Sequence, residues 1–249
     1  MSQIHRPRLR AMLLRATVLA SLSLSVGAQP VPPSLKATIE QNTAGKVRVE
    51  QITVSPIPGI YQVVSEGEIF YTDASGRFGF VGGAMVDMKT QQDLTAPQLE
   101  KLNSVPFASL PLKHAIKEVH GNGRRKVAVF EDPQCPICRV FTKFVDQLDD
   151  VTVYRFMFPV ISPESAQLAR AAWCSPSRAD AWQQVMAGRR LQGREDCETS
   201  GLVEILKFGE KHRIQNTPTV ILGNGKRLVG ATPPEQFIAE LDASGAESK

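Results

Sequence analysis

The most constraining feature of this sequence is a pair of cysteines between a short apolar run and an amphipathic stretch. The run Val127–Phe130 is continuous, which is typical of a buried strand, and the motif Cys135-Pro136-Ile137-Cys138 follows after a four-residue turn. Pro136 suits the first turn of a helix, where its missing N–H costs nothing. The sequence therefore predicts that both cysteines lie where a buried strand ends and a helix begins. The apolar positions at helical spacing are Ile137, Val140, Phe141, Phe144, Val145 and Leu148.

Residues 121–249 predict an α/β unit around this motif. Apolar runs indicate strands, longer periodic stretches indicate helices, and Gly223-Asn224-Gly225 indicates a hairpin turn. The predicted elements after the motif are a strand over Val151–Pro159, a helical insert over about 163–215, hairpin strands over Thr217–Leu222 and Lys226–Val229, and a helix over Pro233–Leu241.

Residues 29–105 predict a smaller α+β unit that contains no cysteine. We expect a small curved sheet with helices and a structural or associative role. Thr95–Gln98 has the spacing of a helix capping box. Residues 106–120 are predicted to form a linker, with Lys113–Val119 as a short helix. The predicted strands of the N-terminal unit are Lys46–Val54, Gly59–Val64, Glu68–Thr72 and Arg77–Val81.

Residues 1–28 have the three parts of a secretory signal peptide. Met1–Arg15 is basic, Ala16–Val26 is apolar, and Val26-Gly27-Ala28 offers small residues for cleavage near Ala28. The alternative is a membrane anchor, but spanning needs about 20 apolar residues, and serines interrupt this shorter run. We therefore expect an exported protein in a compartment where disulfides persist.

The charge of the chain argues against nucleic acid as a partner. The sequence has 29 Lys and Arg against 25 Asp and Glu, a formal net charge of +4. Four of the arginines lie in the predicted signal peptide, so the rest of the chain carries 25 residues of each sign. Electrostatic attraction to a nucleic acid or an anionic membrane is therefore not expected of the mature protein.

The four cysteines allow three interpretations. A zinc site usually needs two close pairs, and Cys174 and Cys197 are 23 positions apart, so no metal or other cofactor is expected. A structural disulfide is credible for Cys174 and Cys197, where it would contribute about 3 kcal/mol. It is less credible for Cys135 and Cys138, because a bridge across two residues restrains little chain.

The third interpretation is thiol–disulfide exchange at Cys135 and Cys138. The unpaired N–H groups and the dipole at a helix N-terminus favour negative charge, so the pKa of Cys135 is predicted to lie below the free value of about 8.5. The thiolate is the nucleophile in exchange. Cys138 borders the buried stripe of the helix, so it is expected to be shielded and to react second.

Three segments resemble the DsbC/DsbG family of periplasmic disulfide isomerases. They are FEDPQCPIC, the insert WC…AWQQVMAG…C, and NTPTVILGNGK…GATPPEQF. The resemblance is looser over residues 59–104, which include SEGEIFYTDASG. It implies a thioredoxin fold with a helical insert, joined by a linker helix to a small cystatin-like α+β dimerisation domain. It also implies a periplasmic homodimer whose redox sites face an apolar cleft for unfolded clients.

The resemblance also implies roles for individual residues. Cys135 corresponds to the attacking cysteine, Cys138 to the resolving one, and Pro136-Ile137 to the variable pair between them. Thr217-Pro218 corresponds to a cis-proline loop that borders the site and binds the client, and Cys174–Cys197 to a structural disulfide. The implied partners are misfolded disulfide-containing exported proteins and a membrane thiol reductase of the DsbD type.

This sequence departs from thioredoxins at the position six residues before the first cysteine. Thioredoxins carry a buried acid there, whereas this chain has Val129. The nearest acids are Glu131 and Asp132, which we interpret as solvated turn residues. A proton acceptor beneath the site is therefore not expected.

Two other functions remain open from the sequence. One is a DsbG-like reductase that protects single cysteines of its clients from over-oxidation. The other is a chaperone-like holdase in which redox activity is secondary. A net dithiol oxidase is less favoured, and the steady-state redox form of Cys135 and Cys138 in cells decides this, because an oxidase is held oxidised.

Overall fold

The structure is a computed structural model that describes residues 30–191 and 197–246. The predicted signal peptide, residues 1–28, lies outside the described residues. Within them, no helix is long and apolar enough to cross a membrane.

The N-terminal unit is an antiparallel sheet packed against one helix. Strands β1 to β4 pair in chain order, and Leu35 and Ile39 of helix α1 pack against Tyr61 and Val63 of the sheet. A short β5–β6 pair and a second helix follow. The elements are α1 Leu35–Asn42, β1 Gln51–Val54, β2 Ile60–Ser65, β3 Glu68–Asp73, β4 Gly79–Phe80, β5 Val86–Asp87, β6 Gln92–Asp93 and α2 Ala96–Asn103.

The capping box predicted at Thr95–Gln98 does not form. The Thr95 hydroxyl is buried, bonds the Tyr71 hydroxyl and accepts the N–H of Met85 at 2.8 Å. It therefore makes no side-chain cap at α2. Tertiary partners outcompete the local capping bond, and Thr95 fastens α2 to the sheet instead.

The predicted linker helix over residues 106–120 is wrong. Two short 3-10 turns, Phe107–Ser109 and Leu112–His114, lead into strand β7, Ile116–His120. Prolines at 106 and 111 lack the N–H that a continuous helix needs. In β7 the side chains that turn inward include two polar ones, Glu118 and His120, which obscure the period-two pattern of a strand.

The C-terminal unit is a five-stranded sheet covered by helices on both faces. The strand order is β11-β10-β8-β9-β7; β8 and β9 are parallel, and the other pairs are antiparallel. The central strand β8 is the predicted buried strand. The remaining elements are β8 Arg125–Glu131, α3 Pro136–Val145, β9 Val151–Met157, α4 Pro163–Trp173, α5 Arg178–Met186, α6 Ser200–Lys211, β10 Thr219–Leu222, β11 Arg227–Val229 and α7 Pro234–Ala246.

Each face of β8 has its own core. Val127 and Val129 point into a cluster with Phe141 and Val145 of α3 and Phe237 of α7. Ala128 and Phe130 point the other way, into a cluster formed largely by the helical insert, which contributes Trp173, Trp182 and Ile205. The predicted insert therefore forms α4 to α6 and covers one face of the sheet.

A disulfide joins Cys174, which ends α4, to Cys197, just before α6. The pairing implied by the family resemblance is thus present in the structure. The two sulfurs cannot also take part in a four-cysteine zinc site, so the zinc interpretation fails.

Removing this disulfide is expected to destabilise the protein while leaving Cys135 and Cys138 unchanged. The double variant Cys174→Ser/Cys197→Ser should lower the free energy of unfolding by about 2–4 kcal/mol, because the unfolded chain loses a loop constraint. Denaturant unfolding followed by circular dichroism measures the loss. Wild-type protein with this disulfide reduced should unfold like the variant, and an unchanged denaturation midpoint would contradict the structural role.

Candidate active site

The cysteine motif lies at the carboxyl end of β8, where the chain turns into α3. Cys135 is the N-cap residue of α3, with extended backbone, and Pro136 is the first residue of the helix. The N–H of Cys135 bonds the carbonyl of Asp132 at 3.1 Å, which closes the turn between strand and helix. The strand–motif–helix arrangement predicted from the sequence is therefore confirmed.

The Cys135 sulfur is held by two backbone groups. It accepts the N–H of Cys138 at 3.2 Å, which is the side-chain capping bond of α3. It also lies 3.3 Å from the carbonyl oxygen of Thr217, to which the thiol donates. The sulfur thus occupies the position where the unpaired N–H groups of the helix point.

Cys138 has a different environment, one turn further along α3. It is 0% exposed, and burial raises the pKa of its thiol well above the ordinary value. The neighbouring Cys135 sulfur raises that pKa further, and contacts with the Asp132 backbone and the Thr217 side chain offset part of the rise. Cys138 is therefore a shielded thiol that favours its protonated form. The neighbouring Cys135 sulfur accepts a helical N–H, and both cysteines are free thiols in the structure.

The loop before β10 borders the same site. The Thr217–Pro218 peptide bond is cis. Strand β10 pairs with β8 in a register that sets Thr219 opposite Phe130, so the residues before β10 reach the end of β8 where the motif begins. This pairing brings Thr217 and Pro218 next to Cys135, although 82 positions separate Thr217 from that cysteine.

The interpretation of Glu131 and Asp132 as solvated turn residues is wrong, since both are 0% exposed. Glu131 ends β8 and accepts hydrogen bonds from Trp182 Nε1 at 2.7 Å and Thr142 Oγ1 at 2.9 Å. The guanidinium of Arg155 lies 3.5 Å from its Oε2. Burial raises the pKa of Glu131, and these three partners offset part of the rise.

Asp132 is surrounded by donors from three segments. Its Oδ1 accepts the N–H of Gln134 and the hydroxyl of Ser165, both at 2.7 Å. Its Oδ2 accepts the N–H groups of Val160 at 2.7 Å and Ile161 at 2.9 Å. The carboxylate therefore joins the turn over residues 133–135, here called the redox turn, to the β9–α4 loop and to the start of α4.

Sequence reasoning missed this pair of buried acids, although one signal was available. Arg155 stands within the otherwise apolar run of β9, and an arginine in a buried strand needs an acidic partner nearby. Because β8 and β9 are parallel neighbours, Glu131 at the end of β8 is such a partner. Glu118 of β7 is a second, at 2.8 Å from Arg155 Nε.

Apolar side chains are exposed on the surface around the cysteines. Ile137 and Val140 of α3 are 48% and 70% exposed, and Val160 and Ile161 are 45% and 53% exposed. The β9–α4 loop that carries Val160 and Ile161 follows the carboxyl end of β9, beside the end of β8. In the parts of the chain that the structure describes, no cluster of His, Cys, Asp and Glu could hold a metal ion.

Comparisons with known proteins agree with this geometry. A family model described as a thioredoxin-like domain matches residues 112–245, and one described as the disulfide bond isomerase protein N-terminal domain matches residues 26–96. The fold and the dithiol thus define a thiol–disulfide oxidoreductase of the thioredoxin fold, with an additional N-terminal domain.

Individual relatives identify the family to which the chain belongs within this class of oxidoreductases. The chain is 36% identical to a probable thiol:disulfide interchange protein DsbC of Bordetella avium over 195 residues, which cover 76% of this chain and 68% of the relative. It is 27% identical to DsbC of Dickeya dadantii over 93% of this chain and 95% of the relative. A crystal structure of a disulfide interchange protein from Neisseria gonorrhoeae superimposes with a TM-score of 0.50 and 37% identity, covering 55% of this chain and 99% of that one. The chain belongs to the DsbC family of thiol:disulfide interchange proteins.

The buried Glu131 makes a prediction about stability and pH. Because its pKa is raised in the folded state, ionising it in the folded protein costs free energy, and stability should fall as pH rises above the unfolded value of about 4.3. Glu131→Gln removes this titration. The melting temperature of the variant relative to wild type should therefore rise between about pH 4 and pH 8.

Thermal unfolding at several pH values provides the measurement, with Glu235→Gln as a control that removes an exposed carboxylate of α7. A wild type that gains stability relative to Glu131→Gln as pH rises would show that pairing with Arg155 outweighs burial, and would contradict the prediction.

Proposed function

We propose that this protein is a periplasmic enzyme that isomerises wrong disulfides in exported proteins, with Cys135 as the attacking cysteine. The supporting observation is the different placement of the two sulfurs. The Cys135 sulfur receives an N–H at the start of α3, where negative charge is stabilised, whereas the Cys138 sulfur is shielded. The Cys135 sulfur is therefore suited to attack a client disulfide first, and the Cys138 sulfur to react in the second step.

The proposed reaction begins when the Cys135 thiolate attacks one sulfur of a client disulfide. A bond forms between Cys135 and that sulfur, the client S–S bond breaks, and the second client sulfur leaves as a thiolate. A different client thiol can then attack the mixed disulfide and restore reduced Cys135. This route rearranges the client without net oxidation or reduction.

The alternative second step uses Cys138. Its sulfur attacks the Cys135 sulfur, the bond to the client breaks, and the client leaves with a reduced thiol. The enzyme then holds a Cys135–Cys138 disulfide, two electrons having passed to the client. A membrane thiol reductase of the DsbD type is the proposed donor that restores the dithiol.

Thr217 and Pro218 are proposed to bind the client chain. The Thr217 carbonyl oxygen lies 3.3 Å from the Cys135 sulfur, so a client segment that delivers its sulfur to Cys135 must run alongside this loop. An extended peptide can pair with backbone groups there, in the manner of an added strand.

The proposed roles predict different outcomes for the two cysteines. Cys135→Ser should abolish recovery of activity by a scrambled multi-disulfide substrate, because no mixed disulfide can form. Cys138→Ser should instead accumulate client-linked adducts on non-reducing gels, because Cys135 still attacks and the second sulfur is missing. The measurements are substrate reactivation and gel analysis after thiol trapping.

The Cys174→Ser/Cys197→Ser variant serves as the control for loss of cysteines, and it should keep measurable isomerase activity at temperatures where it is folded. Failure of reduced wild type to reactivate the substrate would overturn the proposed function. Adducts on Cys135→Ser would overturn the assignment of roles.

We also propose that the protein is a homodimer formed through its N-terminal unit. Strand β4 is at the edge of the N-terminal sheet, and its neighbourhood exposes large apolar side chains: Phe78, Phe80 and Val81 are 65%, 68% and 83% exposed. An exposed edge with apolar side chains is a template for pairing with another chain. The match to the isomerase N-terminal domain model supports the same proposal.

The dimer proposal predicts that Phe80→Ser/Val81→Ser shifts the protein to a monomer in sedimentation experiments. Both side chains are exposed within the chain, so the fold of the variant should persist. Reaction of its Cys135 with a small disulfide should match that of wild type, because the redox turn lies in the other unit. A wild type that already sediments as a monomer would contradict the proposal.

A further inference from the structure

Arg139 directly follows the cysteine motif, and its side chain turns back towards the residues before the motif. The guanidinium donates to the carbonyl oxygen of Pro133 from Nε at 3.0 Å and from Nη2 at 2.7 Å. Both donors belong to one rigid, planar, positively charged group, so the two bonds are charge-assisted and fix the direction of the carbonyl. The reaction proposed above assigns no role to this residue.

The Pro133 carbonyl lies between two regular elements rather than within one. Strand β8 ends at Glu131, helix α3 begins at Pro136, and Pro133 is buried between them. A buried carbonyl without a hydrogen bond is costly, and the donor that the structure provides for this one is the Arg139 side chain. The guanidinium is therefore part of what holds the redox turn in place.

Backbone hydrogen bonds lead from this contact to the reactive sulfur. The N–H of Cys135 bonds the carbonyl of Asp132 at 3.1 Å, and the carbonyl of Cys135 accepts the N–H of Arg139 at 3.3 Å. The side chain of Arg139 fixes Pro133, which lies between these two bonds in the turn. The Cys135 sulfur in turn accepts the N–H of Cys138 at 3.2 Å. A shift of the turn would therefore move the sulfur relative to the helical N–H that it accepts.

The same guanidinium also packs against the end of the helical insert. Helix α5 ends at Met186, and Gly188 follows with a φ of 85° and its N–H bonded to the carbonyl of Val185 at 2.9 Å. A Cβ at Gly188 would lie 3.6 Å from Nη1 of Arg139. The cation therefore lies between the redox turn and the insert, which limits the freedom of its side chain.

These contacts connect Arg139 to the first step of the exchange reaction. We propose that Arg139 is a positioning residue that, through its paired bonds to Pro133, keeps the Cys135 sulfur at the start of α3, where a thiolate is stabilised. It acts through the redox turn rather than on the reacting atoms. This inference rests on the proposed function, because it concerns the attack by Cys135.

The experiment uses glutathione disulfide as the oxidant and the reduced protein with both of its units. The Cys135 thiolate bonds one glutathione sulfur, the S–S bond of glutathione disulfide breaks, and the other sulfur leaves as a thiolate. The Cys138 sulfur then bonds the Cys135 sulfur, its proton passes to solvent, and the bound glutathione leaves with the electron pair of the broken bond. Only the first rate depends on glutathione disulfide concentration, so rapid acid quench and mass spectrometry separate the two steps.

Arg139→Met removes the charge and every side-chain donor but keeps an unbranched side chain. Formation of the mixed disulfide is expected to be at least about threefold slower, because the Cys135 thiolate loses part of its interaction with the start of α3. Release of glutathione should change by less than about twofold, because in that step Cys138 is the nucleophile and glutathione the leaving group.

Arg139→Lys tests whether the paired donors matter. Lysine keeps the positive charge, but its ammonium is a single point on a flexible stem and does not reproduce two donors that converge on one carbonyl. The rate of mixed-disulfide formation is therefore expected to lie between those of Arg139→Met and wild type. The matched control is Lys143→Met, which removes a positive charge from an exposed side chain one turn further along α3 and should leave both rates unchanged.

All rates are compared at a temperature where the circular dichroism of each variant matches that of wild type. Formation that is not slowed in folded Arg139→Met overturns the inference. So does an Arg139→Lys variant that reacts like wild type, which is the deciding result if Arg139→Met does not fold. Equal slowing in Lys143→Met also overturns it, because charge alone would then account for the effect. Reactivation of a scrambled substrate by wild type is measured separately, so failure of the proposed function remains distinguishable.

Discussion

The hydrogen bond from the Cys138 N–H to the Cys135 sulfur is the interaction on which the proposed chemistry of this protein depends. It exists because β8 ends at Glu131 and α3 begins at Pro136, which leaves Cys135 as the N-cap. Proline supplies no N–H of its own at the first position, and the capping sulfur accepts the N–H of Cys138, the third residue of the helix. The buried strand β8 and the turn after it therefore place the Cys135 sulfur at the start of helix α3.

The two sulfurs differ more in their partners than in their exposure. Cys135 is 4% exposed and Cys138 0%, so neither is freely accessible in the resting protein. Both side chains belong to the same core cluster, but only the Cys135 sulfur accepts the capping N–H of α3 and donates to the Thr217 carbonyl. The proposed order of reaction rests on this asymmetry, because the sulfur that bonds the Thr217 carbonyl is the one that a client chain lying along that loop would meet first.

Sequence reasoning predicted the elements that carry strong periodicity. β8, α3, β9 and the closing hairpin with its helix all lie where their apolar patterns placed them. Local patterns failed where distant partners decide the outcome. Thr95 has the spacing of a cap but bonds Tyr71, and β7 looked helical because its inward positions hold Glu118 and His120.

The same limit explains the misinterpretation of the two acids. Glu131 and Asp132 adjoin Pro133 in a stretch that reads as a turn, and acids in turns are commonly solvated. Their burial depends on donors outside the turn that lie 11 to 51 positions away; the nearest is Thr142 and the farthest is Trp182, both of which bond Glu131. No pattern within the turn itself contains that information.

The helical insert is part of the redox site rather than an appendage to it. Glu131 and Asp132 are adjacent in sequence, and each is buried with the help of a donor from the insert: Trp182 of α5 for Glu131 and Ser165 of α4 for Asp132. Without those donors, each carboxylate would lose a hydrogen bond in a region closed to water, which costs about 1–3 kcal/mol per group. Both acids border the redox turn, and Glu131 also bonds Thr142 of α3. The insert therefore stabilises the strand–helix junction that presents Cys135, and the position of the Cys135 sulfur depends on helices that are distant from it in the chain.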